Sequence, residues 1–265
     1  GCLTIASVTI IVLFTAFTSQ FFVIWPYIGP INTRSIIITL SLNSFLLMIV
    51  INYFLTCTTD PGRVPNNWMP RQQAYIEVKK STHTPRFCRT CKNFKPPRSH
   101  HCSRCGRCVL KMDHHCPWVN NCIGFANYGH FIRLLIYINI SAVYIFTLLA
   151  CRLAQLTRSS QFQLDITEIV FMSINLMITA SAILGVGALS CYHIFYISTN
   201  TTTIEAWEKG RSLTIKRMES VKNIKYPYNR GIYKNLTAVL GKRPIFWLIP
   251  QPTTGNGFEF SIDDD

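Results

Sequence analysis

Seven of the eleven cysteines and four of the seven histidines in this 265-residue chain fall between Cys88 and Cys122. They repeat. Cys88, Cys91, His101 and Cys108 map by a shift of 14 residues onto Cys102, Cys105, His115 and Cys122, so each set reads C-x2-C-x9-H-x6-C. Zinc in a structural site takes four tetrahedral N/S ligands, and a C-x2-C pair lets two thiolates leave one tight turn toward one ion. Two Cys3His sites with overlapping sequence ranges, each holding one structural Zn2+, are expected. The segment is basic, poor in apolar residues and interrupted by Pro96-Pro97, so metal binding would supply its folding free energy.

Eight ligands close two sites and leave Cys116, His100 and His114 of this window over. Cys116 cannot begin a third unit, because Val119 stands where its second cysteine would be. A thiol is thus left free in a metal-fixed frame, with His114 two residues before it and Asp113 beside that. These are the parts of nucleophilic catalysis: imidazole takes the thiol proton, carboxylate orients the imidazolium, thiolate attacks. On residue types alone an alternative stays open, in which Cys116 is a redundant ligand and His114 a surface residue.

The elements that must position these groups follow from composition. The chain is 49% apolar but only 14% charged, with 26 Lys+Arg against 12 Asp+Glu for a net charge of +14. A soluble domain carries about 25% charged residues, and here the charges gather in blocks between long uncharged runs. Leu3 to Trp25, Ile36 to Cys57, Leu134 to Cys151 and Ile169 to Tyr192 are each near the ~20 residues that cross a hydrocarbon core of roughly 30 Å. A signal peptide would have a shorter apolar core of ~7–15 residues behind a basic start. The fold class expected is an all-α polytopic membrane protein: four transmembrane helices, with a cysteine-rich two-zinc domain between helices two and three. An odd cysteine count in a chain of this size is unlike a secreted disulfide scaffold.

Orientation is read from the basic residues. Asp60 to Tyr128 holds 12 Lys+Arg and 3 acids, and Glu205 to Asp265 holds 10 and 7. The positive-inside rule puts both segments, and both termini, in the cytosol. The domain bounds expected are 1–59 for helices one and two, 60–128 for the zinc domain, 129–197 for helices three and four, and 198–265 for a cytosolic C-terminal segment. Orientation and attraction to anionic lipid account for the +14 charge, so nucleic acid is not expected as a partner. Only about a dozen residues separate Cys122 from Leu134, so Cys116 lies near the cytosolic end of helix three, at the water–lipid boundary. A reactive thiol there suits a substrate with an apolar tail and an anionic head, as in fatty acyl-CoA.

The run Lys111 to Asn121 (K-M-D-H-H-C-P-W-V-N-N), the cysteine frame, Asp60-Pro61-Gly62 after helix two and Thr202-Thr203-Ile204-Glu205 after helix four together resemble the D-H-H-C family of protein S-acyltransferases, or palmitoyltransferases. The resemblance spans nearly the whole chain. It implies a ping-pong reaction in which Cys116 takes a long-chain acyl group, chiefly palmitoyl, from acyl-CoA and passes it to cysteine thiols of membrane or membrane-proximal proteins. His114 would be the base and Asp113 its orienting group, with Thr203 fixing Asp113. Thr202, Glu205 and Asn235 would be supporting residues. The acyl chain would lie among the four helices, where a ~16-carbon chain contributes about 0.8 kcal/mol per buried CH2. Tyr226 to Gly231 with Asn235 resembles the family's C-terminal motif, with Tyr226 where asparagine is common and Leu240 where an aromatic is common. Phe125-Ala126-Asn127-Tyr128 and the short tail resemble the family's endoplasmic-reticulum branch, which favours that organelle over the Golgi. An accessory subunit is left open.

A second class of function is a zinc-dependent membrane scaffold or ubiquitin-ligase-like module, but it leaves Asp113, His114 and Cys116 without a task. A transporter would show paired ionisable groups within its spans. Lys92, Lys95, Arg98, Arg104, Arg107 and Lys111 are candidates for contacts to CoA phosphates. Asn43, Asn52, Asn139 and Asn175 would bridge helices. His193, near the cytosolic end of helix four, is weighed between a functional and a packing role, and Asp263 to Asp265 reads as a solvated acidic end.

Overall fold

The computed structural model describes residues 1–70, 75–79, 84–158, 165–208, 212–216, 220–222 and 228–261. Tyr226 and the acidic end Asp263 to Asp265 lie outside them. Four helices are long and apolar enough to cross a bilayer: α1 (Cys2–Ile28), α2 (Thr33–Thr58), α3 (Tyr128–Arg158) and α4 (Ile166–Ser198). The chain is a multi-pass membrane protein that is mostly helical, with the cysteine-rich region between α2 and α3. The helices overrun the apolar runs that announce them. α3 starts six residues before Leu134, because its first turns carry buried polar side chains such as His130 and Arg133. Within α1 the stretch Gln20–Ile24 is π-helical. Pro26 has no N–H to give the preceding turn, and a widened turn is how a helix absorbs that loss.

The chain forms two compact units. The first, Gly1–Tyr53 with Ile132–Cys191, is a helix bundle. Its core joins Val23, Ile24 and Ile28 of α1, Ile38 and Leu42 of α2, Ile145, Leu149 and Leu156 of α3 and Met172 of α4. Lipid is as apolar as these side chains, so polar pairs hold the helices in register. Asn43 Nδ2 donates to Gln20 Oε1 at 2.9 Å, Asn175 Nδ2 to Thr18 Oγ1 at 2.9 Å and Asn139 Nδ2 to Ser190 Oγ at 2.7 Å. Asn52 donates to the Met48 carbonyl of its own helix. Arg152 of α3 grips Glu168 of α4 with two bonds of 2.6 and 3.0 Å.

The second unit, Phe54–Phe131 with Tyr192–Asp265, carries the cysteine-rich region. Strand β1 (Tyr75–Lys79) pairs antiparallel with β8 (Ser212–Lys216), which pairs with β9 (Ser220–Lys222). Between them in sequence come three two-stranded hairpins: β2 (Phe87–Cys88) with β3 (Asn93–Phe94), β4 (His100–Cys102) with β5 (Arg107–Val109), and β6 (His114–Cys116) with β7 (Asn121–Ile123). Two short helices follow α4: α5 (Thr203–Trp207) and α6 (Ile232–Leu240). A helix end leaves carbonyls unsatisfied. At the end of α2 the Asn121 amide takes the carbonyls of Thr56, Cys57 and Thr59 at 3.1, 3.2 and 2.9 Å, which ties β7 to that helix end. Gly62 at φ 111° turns the chain back along β5, and a side chain there would meet Leu110 at 3.1 Å.

Candidate active site

The 14-residue repeat is a repeat of backbone as well as of ligands. Cys88 pairs with Asn93, Cys102 with Arg107 and Cys116 with Asn121, each 14 residues after the last. Left-handed residues recur at the same spacing, Lys92 at φ 50°, Gly106 at 63° and Asn120 at 49°. The reading that Cys116 begins no third unit holds for ligands, since Val119 has no sulfur. It fails for the backbone, which builds a third hairpin and puts Cys116 at its first-cysteine position. In the first two hairpins the amides of Cys91 and Cys105 donate to the sulfurs of Cys88 and Cys102 at 3.4 and 3.3 Å. In the third the amides of Trp118 and Val119 do the same for Cys116.

The eight predicted ligands meet in two groups, Cys88, Cys91, His101 and Cys108, and Cys102, Cys105, His115 and Cys122. None of the eleven cysteines is in a disulfide. In the first group His101 Nδ1 stands 3.6, 3.2 and 3.9 Å from the sulfurs of Cys88, Cys91 and Cys108. In the second His115 Nδ1 stands 3.6, 3.5 and 3.5 Å from those of Cys102, Cys105 and Cys122. A tetrahedral ion with Zn–S of about 2.3 Å and Zn–N of about 2.0 Å requires S···N edges of about 3.6 Å. The donor set and its spacing fit zinc. Protein groups take all four positions of each tetrahedron, so each site is closed.

Asp113, His114 and Cys116 sit on and just before β6. Asp113 is 2% exposed and accepts three hydrogen bonds: the Thr203 amide at 2.9 Å on Oδ1, the Thr203 hydroxyl at 2.9 Å on Oδ2, and His114 Nδ1 at 2.7 Å on Oδ2. With Nδ1 committed, Nε2 is the nitrogen left to serve Cys116, to which the imidazole is also hydrogen-bonded. Burial works against the charged form of each member. For His114 the bond to Asp113, then Cys116, outweighs it and holds the imidazole up at about 9. For Cys116 burial is outweighed by the His114 bond and charge and by the two hairpin amides, so its thiol lies below the usual range. Burial would raise Asp113, but His114 and the Thr203 amide hold it down. The cluster thus favours the charged forms, with Asp113 and Cys116 shifted down and His114 up.

His100 occupies in the second hairpin the place of His114 in the third, yet burial and the neighbouring Arg86 and Lys95 push it down to about 2. The contrast lies in the neighbours, Ser99 and a guanidinium in one case, Asp113 and a thiol in the other.

Thr202 caps α5: its hydroxyl accepts the Glu205 amide at 3.2 Å, and Glu205 Oε2 accepts the Thr202 amide at 2.8 Å. Glu205 also holds Arg98 through bonds of 2.6 Å from Nε and 2.9 Å from Nη2. Arg98 is fully buried, stacked on Tyr228 and Phe260 and bonded to the Asn200 side chain and carbonyl. Asn235, 1% exposed, donates to the Ser198 carbonyl at the end of α4 and to Asn229 Oδ1, both at 2.7 Å, and accepts the Arg230 amide at 3.0 Å. The C-terminal segment is thereby pinned to the helix end that precedes Thr203.

Three of the six basic residues considered for CoA phosphates are already paired or buried. Arg98 belongs to Glu205, and Lys111 is buried, its ammonium pushed down to about 7 by burial and by Arg98 against the pull of Glu205 and Asp113. Arg107 pairs with Asp60 at 2.7 Å, and Lys92 and Arg104 are exposed. The Arg98–Glu205 pair and Asn121 had no signal beyond residue type, since their partners are distant in sequence. A third group of donors, Asp113, His114 and His193, also converges. Its carboxylate and the His114 Nδ1 are already hydrogen-bonded, the carboxylate to Thr203 as well, so it reads as a hydrogen-bonded cluster and not as a metal site.

Residues 81–210 match a family model described as DHHC palmitoyltransferase. The chain is 36% identical to the probable protein S-acyltransferase 15 of Arabidopsis thaliana over 89% of the chain and 91% of that protein. It is 35% identical to the probable protein S-acyltransferase 16 of the same plant over 97% and 92%. With the palmitoyltransferase PFA4 of Mycosarcoma maydis it shares 34% identity over 93% of the chain, which spans 57% of that longer protein.

Proposed function

The chain belongs to the DHHC palmitoyltransferase family, and from that premise we propose that it moves a long-chain acyl group, chiefly palmitoyl, from acyl-CoA to cysteine thiols of proteins through an acyl-enzyme on Cys116. The observation that carries the reading is the His114 imidazole, bonded at 2.7 Å to buried Asp113 and also to Cys116. Cys116 Sγ attacks the thioester carbonyl, a new S–C bond forms, and collapse of the tetrahedral adduct breaks the bond to the CoA sulfur. The proton that Cys116 gave to His114 leaves with CoA. In the second half the acceptor thiol gives its proton to His114 and attacks the acyl-Cys116 carbonyl; Cys116 leaves as thiolate with His114 protonated, as at the start. Asp113 keeps the imidazole in the tautomer and orientation that both halves need.

The two Cys3His sets would hold zinc, which would supply a rigid frame for the third hairpin and no reacting position. The acceptors are cysteine-containing proteins at or in the bilayer. The zinc region and both termini lie on the cytosolic side, a reading supported by the basic residues of 60–128 and 205–265. Residence in the endoplasmic reticulum rests on the segment Phe125 to Tyr128, and fluorescence microscopy of the tagged protein checks it.

The test is incubation of purified protein with a labelled fatty acyl-CoA. Wild type acquires a hydroxylamine-labile label and Cys116→Ser does not; equal labelling of the serine variant refutes the assignment. A scaffold would acquire no label at all.

A further inference from the structure

His193 lies just over one turn before the end of α4, is 2% exposed, and plays no part in the chemistry above. Its surroundings are specific. The Tyr128 hydroxyl and His193 Nδ1 share a hydrogen bond of 3.2 Å. Its ring meets Phe131 nearly edge-on at 5.1 Å and lies 5.9 Å from the His114 ring, and Phe131 in turn meets the His114 ring at 5.4 Å. One donor atom each of His193, His114 and Asp113 lie within 4.8 Å of one another. His193 thus completes the surroundings of the Asp113–His114 pair: the carboxylate is held by Thr203, and the imidazole is bounded by two rings.

We propose that His193 is a positioning residue for His114, held in place itself by Tyr128. The bonds to Asp113 and Cys116 hold the two ring nitrogens but leave the ring free to rotate about the line that joins them. The flat neighbours remove that freedom. Phe131 and His193 each bound the imidazole, so Nε2 stays directed at Cys116 while Nδ1 stays on Asp113. A buried imidazole tied to a tyrosine is more than apolar filling: the bond to Tyr128, with the packed rings of Phe131 and Tyr192, holds the ring that forms the wall. Thr203 and His193 come from the same stretch of chain, ten residues apart, so one segment orients both members of the pair.

The inference rests on the reading of Asp113, His114 and Cys116 as the reacting centre. A displacement of about 1 Å in a reacting group costs on the order of 100-fold in rate. His193→Ala is therefore expected to slow single-turnover acylation of Cys116 by about 10- to 100-fold, with KM for acyl-CoA unchanged and two zinc ions per chain retained. Tyr128→Phe, which keeps the volume and loses only the hydroxyl, should show a smaller loss of the same kind. His193→Gln, able to keep the bond to Tyr128, should recover part of the rate.

The deciding measurement is a double-mutant cycle in full-length protein, with alkylation of Cys116 by iodoacetamide as a second readout. If His193 acts through His114, its removal adds nothing in a His114→Ala background. Additive losses, a defect confined to KM, or a wild-type rate in both His193→Ala and Tyr128→Phe overturn the proposal. Should His193→Ala lose zinc or fail to fold, the cycle is run with Tyr128→Phe. Failure of the underlying reading has a different signature, a label that persists in Cys116→Ser.

Discussion

Replacing Glu205 with glutamine changes one charge and almost no volume, and it isolates what the ion pair with Arg98 contributes. Glutamine at this position still completes a capping box, so α5 keeps its N-terminal cap. What is lost is the counter-charge of a guanidinium that is 0% exposed, gripped through bonds of 2.6 and 2.9 Å. Removing one partner of a buried pair costs about 3–5 kcal/mol, because the other charge stays buried and uncompensated. For a cooperative unit of about 150 residues each kcal/mol lowers Tm by ~2–4 °C, so a drop of about 6–20 °C is expected. The second consequence is kinetic. Glu205 sits two residues after Thr203, whose amide and hydroxyl both hold Asp113, so loosening this segment loosens the Asp113–His114 pair proposed to activate Cys116. Thermal unfolding followed by intrinsic fluorescence, with single-turnover acylation at 25 °C, reads both effects. Replacing Arg98 and Glu205 together by methionine removes the stranded charge and should recover part of the lost stability. A Glu205→Gln protein that melts within about 2 °C of wild type and acylates at the wild-type rate would refute the reasoning.

Thr203→Val removes one charge-assisted bond to Asp113, of a kind worth about 1.5–3 kcal/mol, and should slow acylation by roughly 10- to 100-fold while Thr203→Ser stays near wild type. Chelation should remove two zinc ions per chain and abolish Cys116 labelling, because the frame that holds the thiol depends on them; metal analysis before and after chelation checks the stoichiometry. The pH dependence of Cys116 alkylation should show thiolate below the usual thiol range, with the imidazolium partner persisting up to about 9. In His114→Ala the onset should move up toward the ordinary thiol range, roughly 8.5. An unchanged profile would mean that His114 does not act on Cys116.

The zinc ligands were legible because coordination chemistry restricts both residue type and spacing, and the free thiol followed by subtraction. The helices were legible from uncharged runs, but their ends were not. Polar residues such as His130 and Arg133 continue α3 beyond its apolar stretch, and buried polar groups carry no hydrophobic signal. Partners far apart in the chain were equally silent. Arg98 reads as one more basic residue in a basic segment until Glu205, 107 residues later, is brought against it. His100 and His114 look alike in sequence, each preceding a ligand histidine. Only the side chains around them send one down to about 2 and the other up to about 9.

The third hairpin was hidden for a related reason. Its repeat is carried by backbone geometry, in left-handed positions filled by lysine, glycine and asparagine in turn, which share no side-chain chemistry. That geometry explains the place of Cys116, the proposed nucleophile. A metal-binding knuckle stabilises a thiolate in two ways, with amide donors aimed at the first cysteine and with the ion. The third hairpin keeps the amides, from Trp118 and Val119, and dispenses with the ion. A thiolate held by an ion would be a poor nucleophile. A thiolate favoured instead by amides and by the His114 imidazolium keeps its lone pairs free to attack. Val119→Cys would return the missing ligand to this hairpin. It should suppress acylation by capture of added zinc between Cys116 and the thiol introduced three residues later, with activity restored by a mild chelator that leaves the two closed sites loaded. Full activity of the Val119→Cys variant in added zinc would show that the third hairpin shares only its outline with the other two.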